Sequence, residues 1–218
     1  MMLSGFLFLF ILVLNLVMGA LGYLMEKDEY EPNADLKKIN KNPKKFQIGI
    51  TLALIEHSCV IALTILLFIA FSSYNIMLGI ILIIFRTGEG LIQFYNEPFY
   101  WKLINIAKRY SSASGAEKKS LSELGRSILK TKNSVFSFGQ IFFSIGTFAY
   151  SLLFVISEAV PVPAIIGWFG IFASIIYGFG NGIILVKPNK AMKIFRVGLL
   201  ILILEIVLGG WLLFSPLI

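Results

Sequence analysis

Apolar residues gather into six long stretches, 3–25, 48–71, 75–95, 135–156, 163–186 and 194–217, separated by polar segments. A helix needs about 20 apolar residues to cross roughly 30 Å of hydrocarbon, and each stretch meets that length. None shows the two-residue alternation of a barrel strand, and lipid offers backbone groups no hydrogen-bond partner, so the stretches read as helices. The pattern predicts an all-α fold: a polytopic transmembrane bundle of six helices forming one integral membrane domain over 1–218. Ser72-Ser73-Tyr74 reads as a tight hairpin between the second and third spans. Pro161 and Pro163 sit where a helix start tolerates proline, and Lys187-Pro188-Asn189-Lys190 reads as a turn.

Outside the spans, the longest polar segment is 97–134. Phe99, Tyr100, Trp101, Leu103, Ile104, Ile106 and Ala107 interleave with Lys102, Lys108 and Arg109, a pattern expected of a short amphipathic helix lying flat at the headgroups. A flexible break is expected at 111–115. Ser120 followed by Glu123 reads as a capping box opening a second helix through Leu121, Leu124, Ile128 and Leu129. The segment is either a tether to the inner leaflet or a docking surface. The first loop mixes Glu26, Asp28, Glu29, Glu31 and Asp35 with lysines and is expected to be solvated.

Composition sharpens this picture. The chain is 57% hydrophobic and 14% charged, where a soluble domain is nearer half and a quarter, so a water-soluble globule is excluded. Abundant Phe, Ile and Leu exclude a disordered chain, and a single cysteine excludes a disulfide scaffold. That cysteine, Cys59, falls mid-span and reads as a packing residue. Of the 19 Lys and Arg, six lie in the first loop, eight in the third, four around the fifth and one, Arg86, inside a span. Six crossings put loops one, three and five on one face, which the positive-inside rule makes cytoplasmic, with both termini outside. The net charge of +7 then reflects insertion into a cell membrane and attraction to anionic lipid headgroups, not nucleic acid. The first span lacks a basic leader and is too long for a signal peptide, so it is expected to be retained.

Ionisable residues inside spans cost about 2.5–3.5 kcal/mol each and face protein or water. Five stand out: Glu56 and His57 in the second span, Arg86 and Glu89 in the third, and Glu205 in the sixth. At about 1.5 Å per residue, Glu56 lies roughly 14 Å from the inner end of its span, Arg86 roughly 18 Å from the outer end and Glu205 about 16 Å from the inner end. Three spans thus deliver charge to one layer, with Glu89 deeper toward the cytoplasm. Arg86, Glu89, Gln93 and Asn96 are spaced three, four and three apart, one stripe flanked by Gly79 and Gly90. Arg86 and Glu89 are placed to pair, leaving Glu56 and Glu205 to share the guanidinium, bind protons or touch water. Asn15, Gln140 and Asn181 are candidate hydrogen-bonding partners. The alternative is that these groups only hold helices together. His57 sits about 100° round the helix from Glu56, so the two need not face one cavity.

Gly170, Ser174, Gly178 and Gly182 form a ridge of small residues on the fifth span. The ridge suits close helix packing within the bundle, homo-oligomerisation, or a loosening of the helix near Asn181. One His and one Cys make a metal site improbable, and no phosphate loop, nucleophile elbow or paired-histidine motif appears, so no cofactor is implied.

Arg86-x-x-Glu89 in the third span, the run Phe138-Gly139-Gln140-Ile141-Phe142-Phe143-Ser144-Ile145-Gly146, and the entry Pro161-Val162-Pro163-Ala164-Ile165-Ile166-Gly167-Trp168-Phe169-Gly170 carry a resemblance. From about Gly5 to Val186 the chain resembles the prokaryotic multi-pass family called domain of unknown function 4386. The charged first loop and Glu56-His57 depart from that pattern. The resemblance implies a six-helix membrane domain and brings no activity and no catalytic residues. The leading expectation is binding or translocation of a small polar or anionic solute, lipid or protons at the midplane, with Arg86 as anchor and Glu56, Glu89 and Glu205 as partners. The alternatives are an intramembrane lipid-acting enzyme with Glu56 or His57 as base, and a non-catalytic subunit or assembly factor.

Overall fold

The computed structural model describes residues 1–23, 32–187 and 191–215, and the side chains at 32 and 191–197 are outside that description. Seven helices follow in order: α1 Met2–Leu21, α2 Pro32–Lys41, α3 Pro43–Phe71, α4 Ile76–Ser112, α5 Gly115–Ile156, α6 Ala164–Val186 and α7 Ala191–Phe214. Five of them (α1, α3, α4, α5 and α6) are long and apolar enough to cross a membrane, and α7 contributes an apolar stretch over Gly198–Phe214. The acids and Lys27 of 26–31, the end of the first expected span, the turn at 188–190 and the side chains of Lys193 and Arg196 lie outside the described residues.

Helix limits follow local chemistry. Asn42 and Asn75 each accept a hydrogen bond from a backbone N–H three residues on, 3.1 Å in both cases, and Pro43 supplies the fixed φ of a first turn. Gly22, at φ 71°, closes α1 in the left-handed conformation that glycine adopts freely. The long helices pack in chain order as a ring, α1–α3–α4–α5–α6–α7, closed by α7 against α1. That closure depends on Gly5 and Gly209. A Cβ at Gly5 would stand 2.6 Å from the Gly209 carbonyl oxygen, and one at Gly209 would stand 2.8 Å from Phe8 Cβ.

Two apolar cores result. One fills the ring with residues such as Phe8, Leu67, Leu82, Phe154 and Leu204. The other, around Leu36, Ile50, Tyr100, Leu103 and Leu129, lies toward the α4–α5 turn. It overturns the expected form of the 97–134 segment. The break expected within 111–115 occurs, at Ala113 and Ser114, but no flat helix and no helix start at Ser120 is present. Instead α4 continues to Ser112 and α5 opens at Gly115, so Ser120 is interior to a helix. The physical reason is that Tyr100, Leu103, Ala107 and Tyr110 prolong the apolar stripe of α4 and are buried against α2 and α5 instead of lipid. At 1.5 Å per residue, α4 is about 55 Å long, some 25 Å more than the hydrocarbon needs.

The charged first loop is likewise not wholly solvated. Its α2 segment buries Asp35, Leu36 and Ile39. Asn33 accepts from Tyr110 on α4 at 2.9 Å and from Ser122 on α5 at 2.8 Å, which pins α2 across the helical hairpin.

Candidate functional site

The polar stripe of α4 faces protein along its whole length. Arg86, Glu89, Gln93 and Asn96 are all buried. Arg86 Nη1 donates to Glu89 Oε2 at 2.5 Å, and the guanidinium carbon stands 4.3 Å from the centre of the Phe143 ring on α5. Glycines on α5 make this possible. A Cβ at Gly146 would come within 2.5 Å of Arg86 Cγ, and one at Gly139 within 2.6 Å of Gln93 Nε2. Arg86 and Gln93 are seven residues apart on α4, and Gly139 and Gly146 are seven apart on α5, so two side chains descend into two matched notches. Phe143 and Gly146 thereby close the compartment over an arginine that is 3% exposed.

Glu205 on α7 faces the same charges. Arg86 and Glu56 both act electrostatically on its carboxyl group, and Glu89 is acted on by Arg86, Glu56, Glu205 and His57. Arg86 with Glu89 is thus the one hydrogen-bonded pair, while Glu205 forms no hydrogen bond or ion pair among the described residues.

Glu56 and His57 form a second group. His57 Nδ1 lies 2.5 Å from Glu56 Oε2, so adjacent residues about 100° apart on the helix do meet, through the reach of both side chains. His57 Nε2 lies 3.3 Å from Oε1 of Glu97, which also accepts the Tyr23 hydroxyl at 2.5 Å. The Tyr23 and Tyr100 rings pack tilted at 49° with centres 4.7 Å apart, and Lys132 on α5 donates to the Tyr100 hydroxyl. The Lys132 ammonium lies 3.8 Å from the Tyr100 ring centre and 5.3 Å from that of Tyr23, and Asn96 binds the Lys132 carbonyl at 3.1 Å.

Glu97, Tyr23 and Lys132 are not candidates by sequence, and Tyr100 enters there only as part of the expected flat helix. The spacing holds a signal for Glu97 and Tyr100: Tyr100 lies four residues past Asn96 and Glu97 four past Gln93, yet Glu97 falls beyond the apolar stretch and beside Pro98. Lys132 was counted only as one more basic loop residue.

The remaining candidates stand apart. Asn181 donates to the Tyr177 carbonyl within its own helix at 3.0 Å, and Asn15 does the same to Ile11 at 3.1 Å. Gln140 accepts from Tyr177 at 3.1 Å. Of the small-residue ridge, Gly170 packs on Ser151 and Leu204, and Gly178 on Ser144, while a Cβ at Gly182 would meet nothing within 4 Å. The helix is unbroken there, so no loosening near Asn181 occurs: Ala164–Val186 keeps its ladder despite the glycines. A groove of about 720 Å³ between α5 and α6 is lined by Gly178, Phe179 and Ile145 among others, and it holds none of the buried charges. Among the described residues no group of three or more His, Cys, Asp or Glu is arranged to hold a metal ion.

No curated protein matches the chain, and no solved structure does. A family model does match, over residues 3–215, nearly the whole length. By that match the chain, with its arginine–glutamate pair sunk into a helical ring, belongs to the family described as a domain of unknown function, DUF4386.

Proposed function

We propose that the protein crosses the cell membrane six times, with its basic loops cytoplasmic and both termini outside, and that it takes up and passes protons at the buried charges. The single observation that carries this reading is a mismatch of charge. Among the described residues, four carboxyl groups, Glu56, Glu89, Glu97 and Glu205, stand with three cations at most, namely Arg86, Lys132 and a protonated His57. An uncompensated ion in a low-dielectric interior costs several kcal/mol, so the group reaches neutrality by holding at least one proton. Of the expected cargoes, the geometry favours the smallest. Arg86 is 3% exposed, paired with Glu89 and covered by Phe143, which leaves a polar solute or lipid headgroup little of the guanidinium to grip.

The topology rests on α7 as the sixth span beside the five longer helices, and on the distribution of Lys and Arg. Infrared difference spectra of the protein in lipid nanodiscs, taken on either side of neutral pH, test the proton reading. Protonated-carboxyl bands are expected to rise and fall, and Glu89→Gln and Glu205→Gln are each expected to remove one component. A spectrum with no titrating carboxyl, or one that both substitutions leave unchanged, sinks it.

A further inference from the structure

We infer that Tyr23, Glu97, His57 and Glu56 form a proton relay joining the α2–α4–α5 cap to the midplane charges. The inference rests on the proton-handling reading and adds a route to it.

The geometry is continuous. Tyr23 OH to Glu97 Oε1 is 2.5 Å, Glu97 Oε1 to His57 Nε2 is 3.3 Å, and His57 Nδ1 to Glu56 Oε2 is 2.5 Å. Three segments of chain, the exit of α1, α3 and α4, converge to make it. Nothing in a helix-packing role requires an imidazole held by a carboxyl group at each nitrogen. Glu97 is 2% exposed, and its Oε2 has no hydrogen-bond partner, so acceptor capacity remains for an arriving proton. The groups facing the imidazole are Glu56 on its own helix, Glu97 and Glu89 on α4, and Tyr23 beyond α1. Lys132 from α5 lies on the Tyr23 and Tyr100 rings and fixes that end of the chain.

Transfer conserves protons at each step. An incoming proton forms an O–H bond on Tyr23 as the hydroxyl's own O–H bond breaks toward Glu97 Oε1, and the O–H bond so formed on Glu97 breaks as an N–H bond forms at His57 Nε2. The N–H bond at Nδ1 then breaks, and the proton forms an O–H bond on Glu56. The imidazole is left as its other tautomer and is reset by tautomer exchange once Glu56 has handed its proton inward. No hydrogen bond among the described residues joins Glu56 to Glu89, so that last transfer runs through water entering between them.

The closing experiment is a pH jump on the nanodisc protein, followed by the infrared bands assigned to Glu89 and Glu205. His57→Gln keeps the end point and slows arrival on the order of 10²-fold, the scale of a lost acid–base group. Tyr23→Phe, which removes only a hydroxyl, gives a smaller delay and keeps the test alive where His57→Gln does not fold. Arrival at the wild-type rate in whichever of these variants folds overturns the relay. Wild-type midplane bands that do not titrate at all defeat the proton-handling reading instead. In that event the relay is judged by nitrogen NMR, because His57 is the only histidine and gives the only imidazole signals. Nitrogens that exchange protonation across neutral pH support it, and a fixed, pH-insensitive tautomer overturns it.

Discussion

Arg86 and Glu89 illustrate why a buried pair is weak evidence for stability but strong evidence for interdependence. Two charges withdrawn from water recover their desolvation only through each other. Arg86→Gln is therefore expected to destabilise the protein by about 3 kcal/mol, because Glu89 and Glu205 lose the cation acting on both. Adding Glu89→Gln restores a large part of that loss, and a double-mutant cycle on detergent unfolding measures the coupling. Additive losses would mean that the pair is not a unit. The notch that receives the arginine gives a second test. Gly146→Ala places a methyl within 2.5 Å of Arg86 Cγ and is expected to cost about 1–3 kcal/mol as overpacking, whereas Gly182→Ala, with open space around it, is expected to be near neutral. Equal effects at the two glycines in the same unfolding measurement would refute the notch.

At the scale of elements, hydropathy made the long apolar helices legible because lipid tolerates only such helices. The expected boundary at 75 matches the start of α4 at Ile76, and the polar face of that helix followed from spacing alone. What sequence did not settle was the cover over an amphipathic face. Tyr100, Leu103 and Tyr110 present the same periodicity to a lipid surface as to α2 and α5, and periodicity identifies a face without naming its partner. Pro98 has no N–H to offer the Phe94 carbonyl, yet packing on both sides carries α4 through it, past the expected end of the span at 95. Ending the span at 95 leaves out Glu97 and, with it, one end of the His57 chain. The two arrangements of this segment separate by experiment. A nitroxide at Leu103 is expected to be shielded from both lipid-dissolved oxygen and aqueous reagents, and one at Asn105, on the exposed face, to meet water. A helix lying flat in the headgroups would instead expose position 103 to oxygen.

For the whole molecule, the ring places the two polar systems at different levels along the helices. The α4–α5 turn lies at the end of the structure that carries α2, and the second core beneath it contains Tyr23 and the Tyr100 contact of Lys132. The short α3–α4 hairpin at Ser72–Tyr74 lies at the opposite end of α4. If the positive-inside rule orients the chain, the relay opens to the cytoplasm, and Arg86 with Glu205 forms the level beyond it. Cys59 is the only native cysteine, so Cys59→Ala provides a clean background for labelling. In intact cells, Ser73→Cys is expected to react with an impermeant maleimide, and Ser114→Cys only after permeabilisation, both positions being exposed. The reverse pattern would turn the molecule over, and the same hydrogen-bonded chain would then take its protons from outside. On the proposed relay, the side from which Glu56 is loaded is the side on which the α2–α4–α5 cap stands, and the labelling reads that side.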